Sequence, residues 1–219
     1  MKIELIIPYV LTEDWIMMAV NRYVPFAHSS TELHGVDLSD AAPKEVTAEN
    51  TPQLVVERAL RAQEEGADAC IVDCFYEAGL EESRAVLKIP IIGAGEAAML
   101  FAYGLRAPFA VLTSDQEGIA VVPEHARRYG FDSRLHSVVS IDLPWQEIPE
   151  RPEEALSKME EEALMLDSTV QTVVIGCTDL AAMSRPLQDN LMAKNRDIKV
   201  VNPIAAAIGL AEMRVALGT

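Results

Sequence analysis

The chain has 219 residues, of which 50% are hydrophobic and 24% are charged. This composition is typical of folded globular proteins and excludes disordered, collagen-like and coiled-coil classes. Its 34 acidic and 18 basic side chains give a formal charge of −16, which disfavours binding to nucleic acids and to anionic membranes. No apolar run is long enough for a membrane helix, and Met1–Leu5 does not begin a signal peptide, so we expect a cytoplasmic protein.

Apolar segments of strand length alternate with helical patterns along the chain. Most of the predicted strands are continuous apolar runs, typical of parallel strands buried on both faces. They are Ile3–Ile7, Ala69–Asp73, Ile89–Ile92, Phe109–Thr113, Val138–Ile141, Val170–Ile175 and Lys199–Val201. The helical patterns are Pro52–Glu65, Glu96–Tyr103, Val122–Tyr129, Glu153–Leu166 and Pro203–Leu217. The alternation predicts an α/β fold with mainly parallel sheets flanked by helices.

One long loop is predicted between these elements. The segment Ser140–Arg151 holds Pro144, Trp145 and Pro149. We interpret it as a connection and keep a lid as the alternative, because Trp145 is a large apolar side chain in a polar segment.

The two halves of the chain resemble each other. Three pairs of segments keep the same order at nearly constant spacing: Leu5–Pro8 with Ala110–Thr113, Ala69–Cys74 with Val173–Cys177, and Ile89–Gly93 with Ile198–Asn202. We therefore predict two pseudo-symmetric α/β lobes. The first comprises residues 1–95 plus 203–219 and carries Cys74, and the second comprises residues 96–202 and carries Cys177.

Two cysteines at matched positions suggest proton transfer. The chain has three cysteines, too few for a disulfide framework, and Cys70 inside a strand has the pattern of a buried core residue. If the lobes face each other, Cys74 and Cys177 lie at carboxyl ends of central strands on opposite sides of one cleft. A thiolate base on one face of a stereocentre and a thiol acid on the other can invert it without a cofactor.

The turns that carry these cysteines suggest how the thiols and the substrate are stabilised. Helix N–H groups at a strand-to-helix turn lower the pKa of a thiol, and we expect values below the free value of about 8.5. Charge that develops on a substrate carbonyl needs fixed donors. The candidates are the backbone N–H groups of Phe75 and Thr178 and the hydroxyls of Thr113, Ser114 and Thr178.

Other chemistries have weaker support in the sequence. Gly93–Ala98 fits the dinucleotide fingerprint Gly-x-Gly-x-x-Ala, but Glu96 puts a carboxylate where the pyrophosphate must sit. His28, His34, His125 and His136 show no metal-ligand spacing. We therefore expect neither a metal nor an organic cofactor.

The cysteine segments resemble those of a known family. Cys74–Leu80 resembles the first cysteine motif of the aspartate/glutamate/hydantoin racemase superfamily, closest to its hydantoin and allantoin racemase branch. Gly176–Leu180 resembles the second cysteine motif. Ile89–Ala98, Val111–Ser114 and Val201–Pro203 resemble further segments of that branch, so the match extends over nearly the whole chain.

The resemblance implies an active site in the interlobe cleft, proton transfer by Cys74 and Cys177, and homo-oligomers. Oxygens of a small-molecule substrate would be held by Phe75, Thr113, Ser114, Gly176 and Thr178, with Pro8 and Tyr9 also at the site.

Two departures from the branch bear on the substrate. The branch has an Asn-Pro-Asn turn after its first strand, whereas this chain has Ile7, Pro8 and Tyr9. Asp115 and Glu117 lie where the branch commonly has a basic residue, which favours a neutral ring or amide over a dianionic substrate.

We therefore expect a cofactor-independent racemase or epimerase that inverts a stereocentre alpha to a carbonyl. Its substrate would be hydantoin-, allantoin- or amino-acid-like. One alternative is an isomerase or decarboxylase of the same superfamily that uses the same cleft. A second is a non-enzymatic protein that binds a small molecule.

Overall fold

The computed structural model describes residues 1–40 and 45–219 and divides into two compact units. Unit 1 comprises Met1–Ala94 and Ile204–Thr219, and unit 2 comprises Gly95–Pro203. The lobe boundaries proposed from the sequence differ from these unit boundaries by one residue at each of the two junctions. Unit 1 is therefore built from both ends of the chain, whereas unit 2 is a single continuous segment.

Strands and helices alternate through both units. In chain order they are β1 (Lys2–Ile6), α1 (Glu13–Tyr23), β2 (Glu32–Val36), α2 (Thr51–Glu64), β3 (Ala69–Val72), α3 (Leu80–Val86), β4 (Ile91–Gly93), α4 (Ala94–Gly104), β5 (Phe109–Thr113), α5 (Glu117–Tyr129), β6 (Leu135–Ser140), α6 (Pro152–Met165), β7 (Thr172–Ile175), α7 (Ser184–Ala193), β8 (Lys199–Val201) and α8 (Pro203–Leu217). Within the described ranges, no helix combines the length and apolarity needed to cross a bilayer.

The sheet of unit 1 is wholly parallel, in the order β2-β1-β3-β4. Ile3 in β1 pairs with Leu33 of β2 on one side and with Ala69 of β3 on the other. The core on this sheet includes Ile6, Val72 and Val55 of α2, all completely buried. Glu212 of α8 accepts hydrogen bonds from the Thr31 hydroxyl at 2.6 Å and the His28 N–H at 2.8 Å, which ties the end of the chain to unit 1.

The sheet of unit 2 repeats this arrangement, in the order β6-β5-β7-β8. It is also wholly parallel, with β5 between β6 and β7. β5, β7 and β8 thus correspond to β1, β3 and β4, the three pairs of segments matched in the sequence, so the predicted repeat is confirmed. On α6, Ala155, Met159 and Ala163 recur at one-turn spacing and are buried in the core of this unit.

The predicted α/β fold class is confirmed, and each predicted strand and helix is present with shifted or equal bounds. The strand β2 and the helices α1, α3 and α7 were not predicted. β2 is an edge strand, and its pattern Glu-Leu-His-Gly-Val is too polar to predict a buried strand. α5 begins at Glu117 rather than Val122 and continues through Pro123.

The predicted loop at Ser140–Arg151 is mostly irregular and includes a short 3-10 turn at Trp145–Glu147. Leu143 and Ile148 are buried in the core of unit 2, and Trp145 packs against that core. The segment is thus anchored along its length, which favours a connection over a lid.

A buried ion pair links α2 to β1. Glu4 is 1% exposed in the centre of the sheet, and its carboxylate bonds the guanidinium of Arg58, which is 5% exposed. Arg58 also contacts Glu65 at 3.0 Å. Burial raises the pKa of the Glu4 carboxyl, and the charge of Arg58 opposes that shift.

We expect Arg58→Met to lower the free energy of unfolding by about 3–5 kcal/mol, because it removes the nearest cation from a buried carboxylate. The double variant Glu4→Leu/Arg58→Met should recover most of this loss, since apolar residues can replace a buried ion pair. Urea denaturation followed by circular dichroism measures both. A double variant no more stable than Arg58→Met would show that the buried charge is not the cause.

Candidate active site

The predicted site residues lie at the carboxyl ends of the two central strands of each sheet. In a sheet of this order, the chain leaves the two neighbouring central strands in opposite directions along the sheet. Ligands of parallel α/β sheets bind between those two strand ends, which are called the switch point. In unit 1 it lies between β1 and β3, and in unit 2 between β5 and β7. Pro8 and Tyr9 follow β1, Cys74 and Phe75 follow β3, Thr113 ends β5 before Ser114, and Gly176, Cys177 and Thr178 follow β7.

Cys74 lies in the turn between β3 and α3, and its side chain is partly exposed. Its sulfur has three hydrogen-bond partners: the backbone N–H groups of Tyr76 and Glu77, and the side-chain hydroxyl of Tyr9. The Glu77 N–H also lies 3.3 Å from the Cys74 carbonyl oxygen. The turn therefore wraps around the sulfur, and Tyr9 reaches it from the neighbouring strand end.

Burial nevertheless raises the pKa of the Cys74 thiol to about 11, and the charge of Asp73 adds to the shift. The three hydrogen bonds favour the thiolate and act in the opposite direction. The prediction that turn N–H groups bring this pKa below the free value is therefore wrong for Cys74, because loss of hydration outweighs the donors. Cys74 is therefore protonated at neutral pH.

Glu77 was not predicted as a site residue. It is 5% exposed and has a left-handed backbone, with φ of 58°. Its carboxyl group packs against Gly93 at the end of β4, where any Cβ atom would overlap it. Gly93 is thus required for close approach, and a carboxyl group beside it is incompatible with a pyrophosphate at this turn.

Two of the hydroxyls predicted to bind substrate in unit 2, those of Thr113 and Ser114, are enclosed, whereas Thr178 is partly exposed. Thr113 is completely buried, with Oγ1 against Gly118 of α5. Ser114 is 2% exposed, and its hydroxyl donates to Asp115 at 2.9 Å. Asp115 also accepts the Gly118 N–H at 3.3 Å, so it holds Ser114 against the start of α5.

Gly176 allows two central strands of unit 2 to pack closely. Its N–H donates to the Leu112 carbonyl at 2.6 Å, and a Cβ would lie 2.6 Å from Cγ1 of Val111. This N–H is therefore used within the sheet. A substrate-binding role for Gly176 stays a prediction, and the packing gives its own reason for glycine.

Cys177 follows Gly176 in an extended conformation and precedes a 3-10 turn at Thr178–Met183. Its side chain is partly exposed, like that of Cys74. Its carbonyl accepts the Leu180 N–H at 3.1 Å. The Asn202 amide, just after β8, donates to the Ala181 carbonyl at 2.8 Å and so anchors the turn.

Pro8 and Phe75 are buried, so their side chains shape the ends of β1 and β3 rather than present polar atoms. Over residues 1–40 and 45–219, no group of three or more His, Cys, Asp or Glu side chains is arranged to hold a metal ion.

We expect alkylation to report the difference between the two cysteines of unit 1. A pKa of about 11 leaves Cys74 with about 300-fold less thiolate at pH 7.5 than a free cysteine, which slows iodoacetamide at least about tenfold. Its rate should rise with pH towards about 11. Cys70, completely buried with its pKa raised to about 12, is the internal control and should not react in the folded protein. Tandem mass spectrometry separates the two sites, and a Cys74 rate that levels off below pH 9 would contradict this.

We expect Gly93→Ala to destabilise the protein by about 1–3 kcal/mol, because the added methyl group overlaps the buried Glu77 carboxyl. Introduced into a Glu77→Ala protein, Gly93→Ala should cost less stability than it does in the wild type, because the overlapping carboxyl group is then absent. Thermal and urea unfolding measure the cycle. Equal effects of Gly93→Ala with and without the Glu77 side chain would exclude this contact as the cause.

Comparison with known proteins gives a consistent picture. The family model described as Asp/Glu/Hydantoin racemase matches residues 16–211. A hydantoin racemase from Rhizobium meliloti is 29% identical over 161 residues, which are 72% of this chain and 64% of that protein. The match thus spans somewhat less than two thirds of this relative's length.

Two solved structures share the fold. The allantoin racemase from Klebsiella pneumoniae has a TM-score of 0.85 and 24% identity, covering 99% of this chain and 88% of that one. The allantoin racemase from Pseudomonas fluorescens has a TM-score of 0.86 and 20% identity, covering 100% of this chain and 92% of that one.

Proposed function

This chain belongs to the Asp/Glu/hydantoin racemase family, and on that premise we propose that it is a cofactor-independent racemase or epimerase. Cys74 and Cys177 exchange protons with a stereocentre alpha to a carbonyl. The observation that carries the proposal is their equivalence: each cysteine follows the third strand of a sheet with the same strand order. Two equivalent thiols can serve the two faces of one substrate.

The reaction needs no co-reactant. One cysteine thiolate takes the alpha proton, so that the C–H bond breaks and an S–H bond forms. The electron pair moves onto the carbonyl as an enolate, and the other cysteine gives its proton to the opposite face. The two thiols have then exchanged roles, and a second turnover in the reverse direction or exchange with water restores them.

The enolate oxygen requires donors at fixed positions. We propose the backbone N–H groups of Phe75 and Thr178 and the Thr178 hydroxyl for this task. Pro8, Tyr9, Thr113, Ser114 and Gly176 would complete the substrate site. The bond from Ser114 to Asp115 supports a positioning role for Ser114, because its proton is already donated.

The resting state of Cys74 supports its role as the acid. With its pKa raised to about 11, Cys74 carries a proton at neutral pH. It serves as the base only after ionisation, when the N–H groups of Tyr76 and Glu77 stabilise the thiolate. Acid and base roles thus alternate at one sulfur without any change of partners.

We propose a neutral ring, such as a hydantoin or allantoin, rather than aspartate or glutamate. Asp73 and Glu77 place two buried carboxyl groups within three residues of Cys74, and Asp115 lies beside Ser114. A second substrate carboxylate near these groups would be repelled, whereas ring amides carry no charge. The hydantoin and allantoin racemases among the similar proteins support the same class.

We also propose a cytoplasmic homo-oligomer. α4 and the residue after it expose Leu100, Phe101 and Leu105, with 58% of Phe101 accessible. Neighbouring apolar side chains at a surface favour self-association.

Deuterium uptake tests the function. In heavy water we expect one or more 5-substituted hydantoins or allantoin to exchange the alpha proton and racemise above the uncatalysed rate, with aspartate and glutamate unchanged. Cys74→Ser and Cys177→Ser should each lower racemisation at least about 100-fold, because one face loses its acid or base. Cys70→Ala, at a completely buried cysteine of β3, the strand that precedes Cys74, is the matched control and should keep the activity.

NMR measures deuterium at the alpha carbon, and polarimetry measures racemisation. Exchange without racemisation in a single-cysteine variant supports one proton donor on each face. Wild-type racemisation by both serine variants, or no exchange of any compound by a folded protein, would overturn the two-cysteine mechanism.

A further inference from the structure

We propose that Tyr9 is a positioning residue for Cys74: its hydroxyl holds the sulfur in place and stabilises the thiolate whenever Cys74 acts as the base. This inference rests on the proposed function of Cys74 in proton transfer. It gives Tyr9 a second task beside the contact with substrate that the family resemblance implies.

The backbone holds Tyr9 firmly at the end of β1. Its N–H donates to the Ile7 carbonyl at 2.8 Å, and its carbonyl accepts the Leu38 N–H at 3.0 Å. The Ile7 N–H in turn donates to the Val36 carbonyl of β2 at 2.8 Å. Both backbone polar groups of Tyr9 are therefore used, and the start of its side chain is fixed relative to the sheet.

The pairing of β1 with β3 brings Tyr9 and Cys74 together. Ile6 is in register with Val72, and the Asp73 N–H donates to the Ile6 carbonyl at 2.8 Å. The next residue after Asp73 is Cys74, so the two chains leave the sheet side by side. The Tyr9 hydroxyl then meets the Cys74 sulfur.

Tyr9 differs from the other donors in kind. Tyr76 and Glu77 offer backbone N–H groups, which any residue except proline supplies at those positions, whereas Tyr9 offers a side-chain O–H. A hydroxyl that donates to an ionised sulfur makes a charge-assisted hydrogen bond. During proton abstraction the phenol keeps its own proton, and the substrate proton goes to the sulfur.

The surroundings of the sulfur make this donor important. Desolvation and the charge of Asp73 both disfavour the thiolate, and the Glu77 carboxyl is buried in the same turn. The hydrogen-bond donors act in the opposite direction, and Tyr9 is a donor that a substitution removes without changing the backbone. Loss of its hydroxyl should therefore raise the pKa of Cys74 further.

Tyr9→Phe keeps the ring and removes only the hydroxyl. We expect about tenfold less Cys74 thiolate at a given pH, which slows alkylation about threefold because a more basic thiolate is more nucleophilic. The second-order rate with iodoacetamide between pH 7 and 10, measured at Cys74 by mass spectrometry, is the readout. Tyr103→Phe is the matched control: its ring packs on Phe131 and Arg134 in unit 2, so Cys74 should react at the wild-type rate.

Alkylation needs neither substrate nor turnover, so it tests the contact even if no compound is racemised. In an active protein, Tyr9→Phe should also move the rising limb of kcat/KM to higher pH, which a purely structural role would not do. Thermal unfolding checks that the variant is folded. If Cys74 in Tyr9→Phe is alkylated at or above the wild-type rate, the inference is wrong. If alkylation is slower but the pH dependence of kcat/KM is unchanged, Tyr9 contacts the sulfur without a role in proton transfer.

Discussion

The pairing of β1 with β3 is the constraint on which the candidate site depends. Its last hydrogen bond, from the Asp73 N–H to the Ile6 carbonyl, fixes where the two chains leave the sheet of unit 1. Beyond this bond the turn that carries Cys74 begins, and the Tyr9 side chain reaches the Cys74 sulfur from the neighbouring strand end. In unit 2, the bond from the Gly176 N–H to the Leu112 carbonyl has the same position relative to Cys177. A repeated sheet thus gives the two cysteines equivalent positions, each two residues beyond the end of a central strand.

At Cys74, desolvation competes with hydrogen bonding. The fold supplies three donors, yet burial and Asp73 keep the pKa of the thiol well above its ordinary value. For two-base chemistry this balance is useful, because a sulfur that readily ionised would be a poor acid and one without donors would be a poor base. The buried carboxyl groups near the sulfur are also the basis for the proposed uncharged substrate, so the proposals on reactivity and on selectivity depend on the same electrostatics.

The distribution of apolar residues along the chain made much of the fold predictable. Continuous apolar runs such as Phe109–Thr113 and the apolar helix Pro203–Leu217 have the bounds inferred from sequence. The strand Glu32–Val36 was missed because an edge strand need not be apolar.

The candidate site was predictable only in part. Its cysteines stand out because they recur at matched strand ends. The hydrogen bonds to Cys74 do not, because the left-handed backbone of Glu77 and the reach of Tyr9 depend on three-dimensional packing. The same holds for Gly176, whose role is set by the proximity of Val111.

The division of the chain also sets the range of the contacts that complete each unit. Unit 2 comes from one continuous run of sequence. Unit 1 needs α8, and the bond from Thr31 to Glu212 joins residues 181 positions apart. Because closing a long loop costs more entropy than closing a short one, we expect the unit that carries Cys74 to be completed later in folding than unit 2.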